Sequence, residues 1–266
     1  MAIQTSYGYA RTLGIAGGNY DQGTDTYTKD LPLAEAAKAG AAAVHSSDRS
    51  KWRLPQANKI VLVLDADLIA SNSFDGGITL SDIDGTASAE DAVSVVYATS
   101  HTATMTAIKN AFDAFTNVSA ELTDATNNRE ITLTISGDSS VAISTAFAVT
   151  LGASQAGVTA SLESGDVIAC ILGHEDLEGN TSGDVVQYVK GDVVAGHRRG
   201  RIFVEPDTAL AVGDSVFARF VAGVAGEERG SLRNAAASVA TAFAGAVVER
   251  ASSADEIGIV EIDLVN

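Results

Sequence analysis

Cysteine is almost missing from this chain. Cys170 stands alone among 266 residues, so no intramolecular disulfide is possible and a cysteine-built zinc site is excluded. Flanked by "VIA" and "IL", it reads as a small, buried apolar residue. Proline occurs three times and tryptophan once, as Trp52, and aromatic residues make up 6 % of the chain. So few rings leave little for sugar-stacking platforms. Positive charge is also short. Seventeen Lys and Arg face 34 Asp and Glu, for a net charge of −17 and a pI near 4.4. That field repels DNA, RNA and anionic membranes, so neither nucleic acid nor membrane is an expected partner. No apolar run reaches the 18 residues a membrane helix needs. The opening "MAIQTSYGYARTLG" shows no basic stretch followed by an apolar one, so no signal peptide is read there and synthesis in a cytoplasm is expected.

What is present is Ala, Val, Gly, Ser and Thr, a composition suited to sheets joined by glycine-rich turns and unusual for an enzyme built around a polar cleft. The length allows one large β domain or two modest ones, with enough chain to bury a core. Residues 1–56 show little periodicity. "GIAGGNYDQGTDTYTKD" is polar and turn-rich, and "LPLAEAAKAGAAAV" (31–44) fits one short helix. The segment reads as an arm or wrapped extension, with disorder as the alternative.

Residues 57–164 differ. "KIVLVLDADL" and "AVSVVYA" are strand-like runs. In "HTATMTAIKNAFDAF", Met105, Ile108, Phe112 and Phe115 form one helical face, with Ser100 or Thr102 as the cap. "VSAELTD", "REITLTIS" and "VAISTAFAVTL" supply further strands, the second alternating strictly. The stretch holds thirteen acidic and three basic residues, a net charge of −10. It reads as a small, acidic α+β module of helix on sheet.

Residues 165–266 return to strands. Four Gly-Asp pairs (Gly165-Asp166, Gly183-Asp184, Gly191-Asp192 and Gly213-Asp214) each precede a β-branched run and read as hairpin corners. "RIFVEP" ends at Pro206, which cannot continue a central strand. Alanine propensity argues for a helix in "NAAASVATAFAGAVV". The flanking pattern instead favours a closing hairpin of strands over 242–249 and 257–265. The expected fold is therefore mainly β: a barrel- or sandwich-like base from 1–56 and 165–266, with 57–164 inserted as a projecting α+β module.

"QYVKGDVVAGHRRGRIFVEPDTALAVGDSVFARF" resembles the structural cement, or head decoration, proteins of tailed bacteriophages. Tyr188, Gly191, Asp192, Gly200, Ile202, Val204, Gly213, Asp214 and Val216 fall on that family's run of "Y-x-x-G-D-x-V", a Gly-flanked turn into "G-x-I-x-V", and "A-V-x-x-G-D-x-V". "TSYGYARTLGIAG" and "AGAAAV" are similar to its opening, and the run from Ile168 to Asp176 matches more loosely. Residues 57–164 interrupt the resemblance and look like a module that recurs in phage virion proteins. The resemblance implies a structural virion protein, not an enzyme. Such a protein sits on the capsid exterior, bound to the major capsid protein and to its own copies as a homo-oligomer, a trimer being expected. An alternative is another phage surface protein, a fibre or adhesin, that binds a host-surface ligand.

The densest basic cluster is "GHRRGR", with His197, Arg198, Arg199 and Arg201 read on a glycine turn between strands. Arginine forks onto carboxylates, so a protein partner is one reading. A solvated turn that offsets an acidic surface is the other. "HED" at His174-Glu175-Asp176, with Glu178, matches no metal-ligand spacing, and "DIDG" (82–85) lacks the later ligands of a calcium loop. "GIAGGN" follows no strand and is no phosphate cradle. No nucleophile–histidine pairing can be argued, so no catalytic, cofactor or metal residue is expected.

Overall fold

The computed structural model describes residues 27–83, 88–150, 156–173, 181–182, 185–223 and 227–264. Strands account for 52 % of these described residues and helix for 7 %. In chain order the elements are β1 (Tyr27–Pro32), β2 (Ala37–Lys38), β3 (Ala42–His45), β4 (Trp52–Arg53), β5 (Lys59–Leu64), β6 (Ser73–Ser81), β7 (Ser88–Val96), α1 (His101–Asp113), β8 (Val118–Leu122) and β9 (Glu130–Ile135). They continue with β10 (Ser140–Thr150), β11 (Val158–Glu163), β12 (Cys170–Leu172), β13 (Thr181–Ser182), β14 (Val185–Tyr188), β15 (Val193–Val204), β16 (Ser215–Arg219), β17 (Leu232–Arg233), a 3-10 turn (Ala237–Val239), β18 (Ala240–Arg250) and β19 (Gly258–Asp263).

Between residues 57 and 164 two antiparallel sheets, ordered β11-β5-β9-β8 and β10-β6-β7, enclose one core with α1. Ser100 caps the helix, its side chain accepting from the Ala103 amide, which satisfies one of the free N–H groups of the first turn. Met105, Ile108 and Phe112 are fully buried at helical spacing. Phe115 lies one residue past the C-cap, yet still packs edge-on against Phe112 at 5.8 Å. Phe147 stacks on Phe74 at 5.9 Å. A Cβ on Gly76 would stand 2.0 Å from the Phe147 ring, so the glycine makes room for that stack. Phe220, from outside this stretch, is buried in the same cluster. The stretch begins and ends as neighbouring strands, Lys59 pairing with Glu163.

The remaining strands form a nine-stranded, curled half-barrel, ordered β17-β16-β18-β19-β15-β12-β3-β4 with β1 on β15, beside a small β13-β14-β2 sheet. The β18–β19 pair is the closing hairpin expected from the C-terminal pattern. Two apolar clusters line the half-barrel. One contains Ile171, Ile202, Val204, Phe243 and Val260, and the other Trp52, Cys170, Leu172, Tyr188 and Val194. Strand β15 feeds both, Val194 entering one and Ile202 and Val204 the other. Between them Gly200 takes φ +118, a backbone that L side chains rarely adopt.

Several sequence expectations need correction. "AGHRRGR" is no turn: it lies inside the twelve-residue strand β15, held by β1, β12 and β19. Cross-strand hydrogen bonds to three partners outweigh the glycine signal there. Residues 31–44 are not helical but run through the end of β1, then β2 and β3. All of their alanines except Ala36 are buried, a tertiary gain that overrides helix propensity. The sequence pattern does not mark β6 or β11, β6 because its two glycines break the alternation. Gly191 (φ +96) and Gly213 (φ +86) are true corners, with Asp192 accepting from the Val189 amide and Asp214 from the Ala211 amide. Gly165 is not left-handed, and its Asp166 does different work, described below. Gly183-Asp184, the "GIAGGN" run, the end of the "DIDG" stretch and His174–Glu178 lie outside the described residues.

Candidate partner-binding surface

The basic cluster divides along β15. His197 is buried, 8 % exposed, and pairs in register with Thr28 on one side and Ile171 on the other. A Cβ on Gly173 would meet its Nε2 at 2.6 Å, so the imidazole is tightly housed. Arg198 is half-buried, and its Nη2 donates to the Leu264 carbonyl at 3.1 Å. Arg199 is exposed and opposite Asp263, with Nε 3.8 Å from the carboxylate. Arg201 makes a closer pair, Nε to Glu249 at 2.7 Å, and faces Glu261 across the strand. Thus Arg199 and Arg201 form a ladder with acids of β18 and β19. Both pairs are substantially exposed, so each adds less than about 1 kcal/mol to stability.

A second cationic group lies across the same sheet. Lys29 pairs with Gly196, two residues from Arg198. Beyond β12, the β3–β4 hairpin carries His45 and Trp52 in register, their rings stacked at 4.4 Å. Trp52 is fully buried, and its Nε1 donates to the Val194 carbonyl. The hairpin tip is held from two sides. Asp48 accepts from the Ser46 hydroxyl and from the amide and hydroxyl of Ser50, which lowers its pKa to about 2. Asp138, in the β9–β10 turn, accepts from the Ser47 amide at 2.7 Å and its hydroxyl at 2.9 Å. The fixed tip presents Arg49, itself left-handed at φ 57, to solvent. Burial lowers the pKa of His45, and Lys29, Arg198 and Arg49 lower it further, so cations converge on the neutral ring.

Buried ion pairs are the features that sequence reasoning missed. Asp166 takes a forked pair from Arg53, Nη1 at 2.8 Å and Nη2 at 2.7 Å, and also accepts from the Gln56 amide and the Asn58 side chain. Arg53 Nε reaches Asp138 at 3.2 Å. Burial opposes the Arg53 charge, but the Asp166 and Asp138 carboxylates outweigh it and raise its pKa. The Arg53 guanidinium therefore ties β4 to the segment after β11 and to the β9–β10 turn, and Asp166 in turn holds the residues leading into β5. Arg219 with Asp207, at 2.7 Å, and Arg229 with Glu35 make further pairs of this kind. Nothing local announces such pairs, since the partners stand far apart in the chain. They tie together segments that lie far apart in the chain. Cys170 is fully buried and its thiol pKa is pushed up by that burial, which makes it a poor nucleophile. Among the described residues no three His, Cys, Asp or Glu side chains gather as metal ligands. No helix among them is long and apolar enough to cross a membrane.

A mainly β protein with rigid strands, a glycine-cornered half-barrel and a pinned basic hairpin has the build of a structural binding protein. Comparison with known families agrees. Residues 117–265, more than half of the chain, match the family described as structural cement protein (E217 gp24/Pam3 gp6). The chain belongs to this family of phage structural cement proteins. The match begins at β8, inside the stretch read as an insertion, and runs through the half-barrel. No curated protein and no solved structure matches. Membership makes the chain a structural, virion-associated phage protein with a capsid role, and suggests a non-enzymatic one.

Proposed function

We propose that the protein binds the outside of a phage head and stabilises it by protein–protein contacts with the major capsid protein. The single observation that carries this is membership of the cement family across the half-barrel. In this reading residues 1–56 and 165–266 form the base that meets the shell, and 57–164 project from it. The net charge of −10 on 57–164 supports that orientation, since pressing like charges onto another acidic surface is costly. Copies assemble as a homo-oligomer, a trimer at local three-fold positions, because linked copies bind with a high effective concentration. His197 backs the contact strand from within, and Arg198, Arg199 and Arg201 offer guanidinium groups to carboxylates of the partner.

Co-sedimentation of the purified protein with undecorated heads tests the reading. Saturation at a fixed ratio, with heads that then resist heat or dilution better, is the expected result. Heads that pellet without the protein, at both low and high salt, would refute it. Arg198→Ala with Arg201→Ala is expected to weaken decoration while leaving the fold intact.

A further inference from the structure

Gln56 breaks the rule that buried polar groups are bonded. The residue is 1 % exposed, and neither its Oε1 nor its Nε2 has a hydrogen-bond partner. At other described residues a single side-chain atom is orphaned; at Gln56 it is the whole carboxamide. Such a group has given up water without a replacement, which destabilises the free chain. Its backbone, by contrast, is held. The Gln56 amide donates to Asp166 at 3.0 Å, Arg53 grips the same carboxylate, and the Ala57 carbonyl accepts from the Val141 amide at 2.8 Å. Gln56 lines a cleft of about 230 Å³ where the half-barrel meets the 57–164 stretch. Val141 and Leu162 line it from β10 and β11, and Phe220 from the chain just after β16. Ala142 and Ala222 line it too and are exposed, so the cleft is reached from solvent. Its two charged groups, Asp82 and Arg229, are of opposite sign, which leaves the lining neutral in a chain of net charge −17. The volume falls below the roughly 300–1,000 Å³ of small-molecule pockets and suits a side chain or two of a polypeptide.

We infer that this cleft takes an extended, uncharged segment of the capsid polypeptide, with an apolar side chain against Val141, Leu162 and Phe220 and a peptide group bonded to the Gln56 carboxamide. A carboxamide offers a donor and an acceptor side by side, and the peptide group is the matching pair that every polypeptide carries. A carboxylate, a phosphate or an ammonium group would satisfy only one half of it. A second copy of the chain is the poorer occupant. It would bring a net charge of −17 to a cleft walled on one side by a stretch of charge −10, and like charges oppose that approach. A buried group that weakens the free protein and is satisfied in the complex is the usual compromise between stability and function. The inference rests on the proposed binding to the head and names one contact that makes it.

Co-sedimentation of the full-length protein with undecorated heads, beside urea unfolding followed by Trp52 fluorescence, is the test. Gln56→Met keeps the length of the side chain and removes both hydrogen-bonding atoms. It should bind heads roughly tenfold more weakly or worse, yet unfold at a urea midpoint equal to or above that of the wild type, because no orphaned amide remains. Ala142→Trp fills the cleft from an exposed position and should weaken binding as much with the midpoint unchanged. A benzophenone side chain placed at Ala222 should couple to the capsid protein when decorated heads are irradiated. The inference is overturned if either variant pellets with heads as the wild type does, or if Gln56→Met lowers the midpoint, which would mean that the amide is satisfied within the fold. Coupling from position 222 to a second copy, or to nothing, would overturn it as well. A wild-type chain that fails to pellet with heads would instead defeat the proposed capsid role, and this contact with it.

Discussion

Replacing Asp166 by alanine should be among the most damaging single changes to this protein. The carboxylate is 5 % exposed and accepts four hydrogen bonds, two of them from an Arg53 guanidinium that is itself 6 % exposed. Without it Arg53 keeps the Asp138 contact at 3.2 Å and the Leu54 carbonyl at 3.3 Å as its partners and stays out of water. Orphaning one member of a buried pair costs about 3–5 kcal/mol, against the roughly 5–15 kcal/mol that stabilises a typical domain. Asp138→Ala removes a more exposed carboxylate and three charged hydrogen bonds. The smaller loss of about 1–3 kcal/mol follows from what bonds to charged groups contribute. Trp52, the only tryptophan, is fully buried next to Arg53 and reports the transition by fluorescence. With a urea slope of about 1–3 kcal/mol per M, Asp166→Ala should lower the midpoint by more than about 1 M at unchanged slope. Arg53→Met together with Asp166→Leu should recover part of the loss, since both charges then leave the interior. A midpoint within about 0.3 M of the wild type for Asp166→Ala would show that the clamp contributes nothing, and the reasoning would fail.

Three further outcomes are expected. Gly196→Ala puts a methyl 2.6 Å from Trp52 Cζ2 and 2.7 Å from Cys170 Sγ, an overpacking that costs about 1–3 kcal/mol; an unchanged melting temperature would contradict it. His45 has a pKa below its ordinary 6.5 because of burial first and then Lys29, Arg198 and Arg49. The unfolded chain therefore takes up the proton more readily, so this contribution to stability is intact above pH 6.5 and is lost as the pH falls below it. His45→Gln should flatten the stability profile between about pH 7 and 5.5 relative to the wild type, and equal slopes would count against the assignment. Cys170 should resist thiol reagents in the native protein and label only when the chain unfolds, because burial disfavours its thiolate; prompt labelling by a maleimide would refute that.

Local pattern carried much of this protein. The helix with its Ser100 cap, the alternation of β9, the Gly191 and Gly213 corners and the terminal hairpin each depend on neighbours within a few residues. The burial of Cys170 was legible from its apolar flanks. The cement-family resemblance was legible for the same reason, being strand-and-turn grammar. Contacts between distant segments carried the rest. Burial of the alanines of 31–44 turned a helix former into strands, and three partner strands drew "AGHRRGR" into the middle of β15. The role of Asp166 depends on Arg53, 113 positions away. Which cations keep an acid of their own and which do not depends equally on the register that sets Arg201 beside Glu249 and leaves Lys29 opposite a glycine. A sequence states each charge, but the field at a surface is a sum over charges brought close by folding, and only the tertiary structure performs that sum.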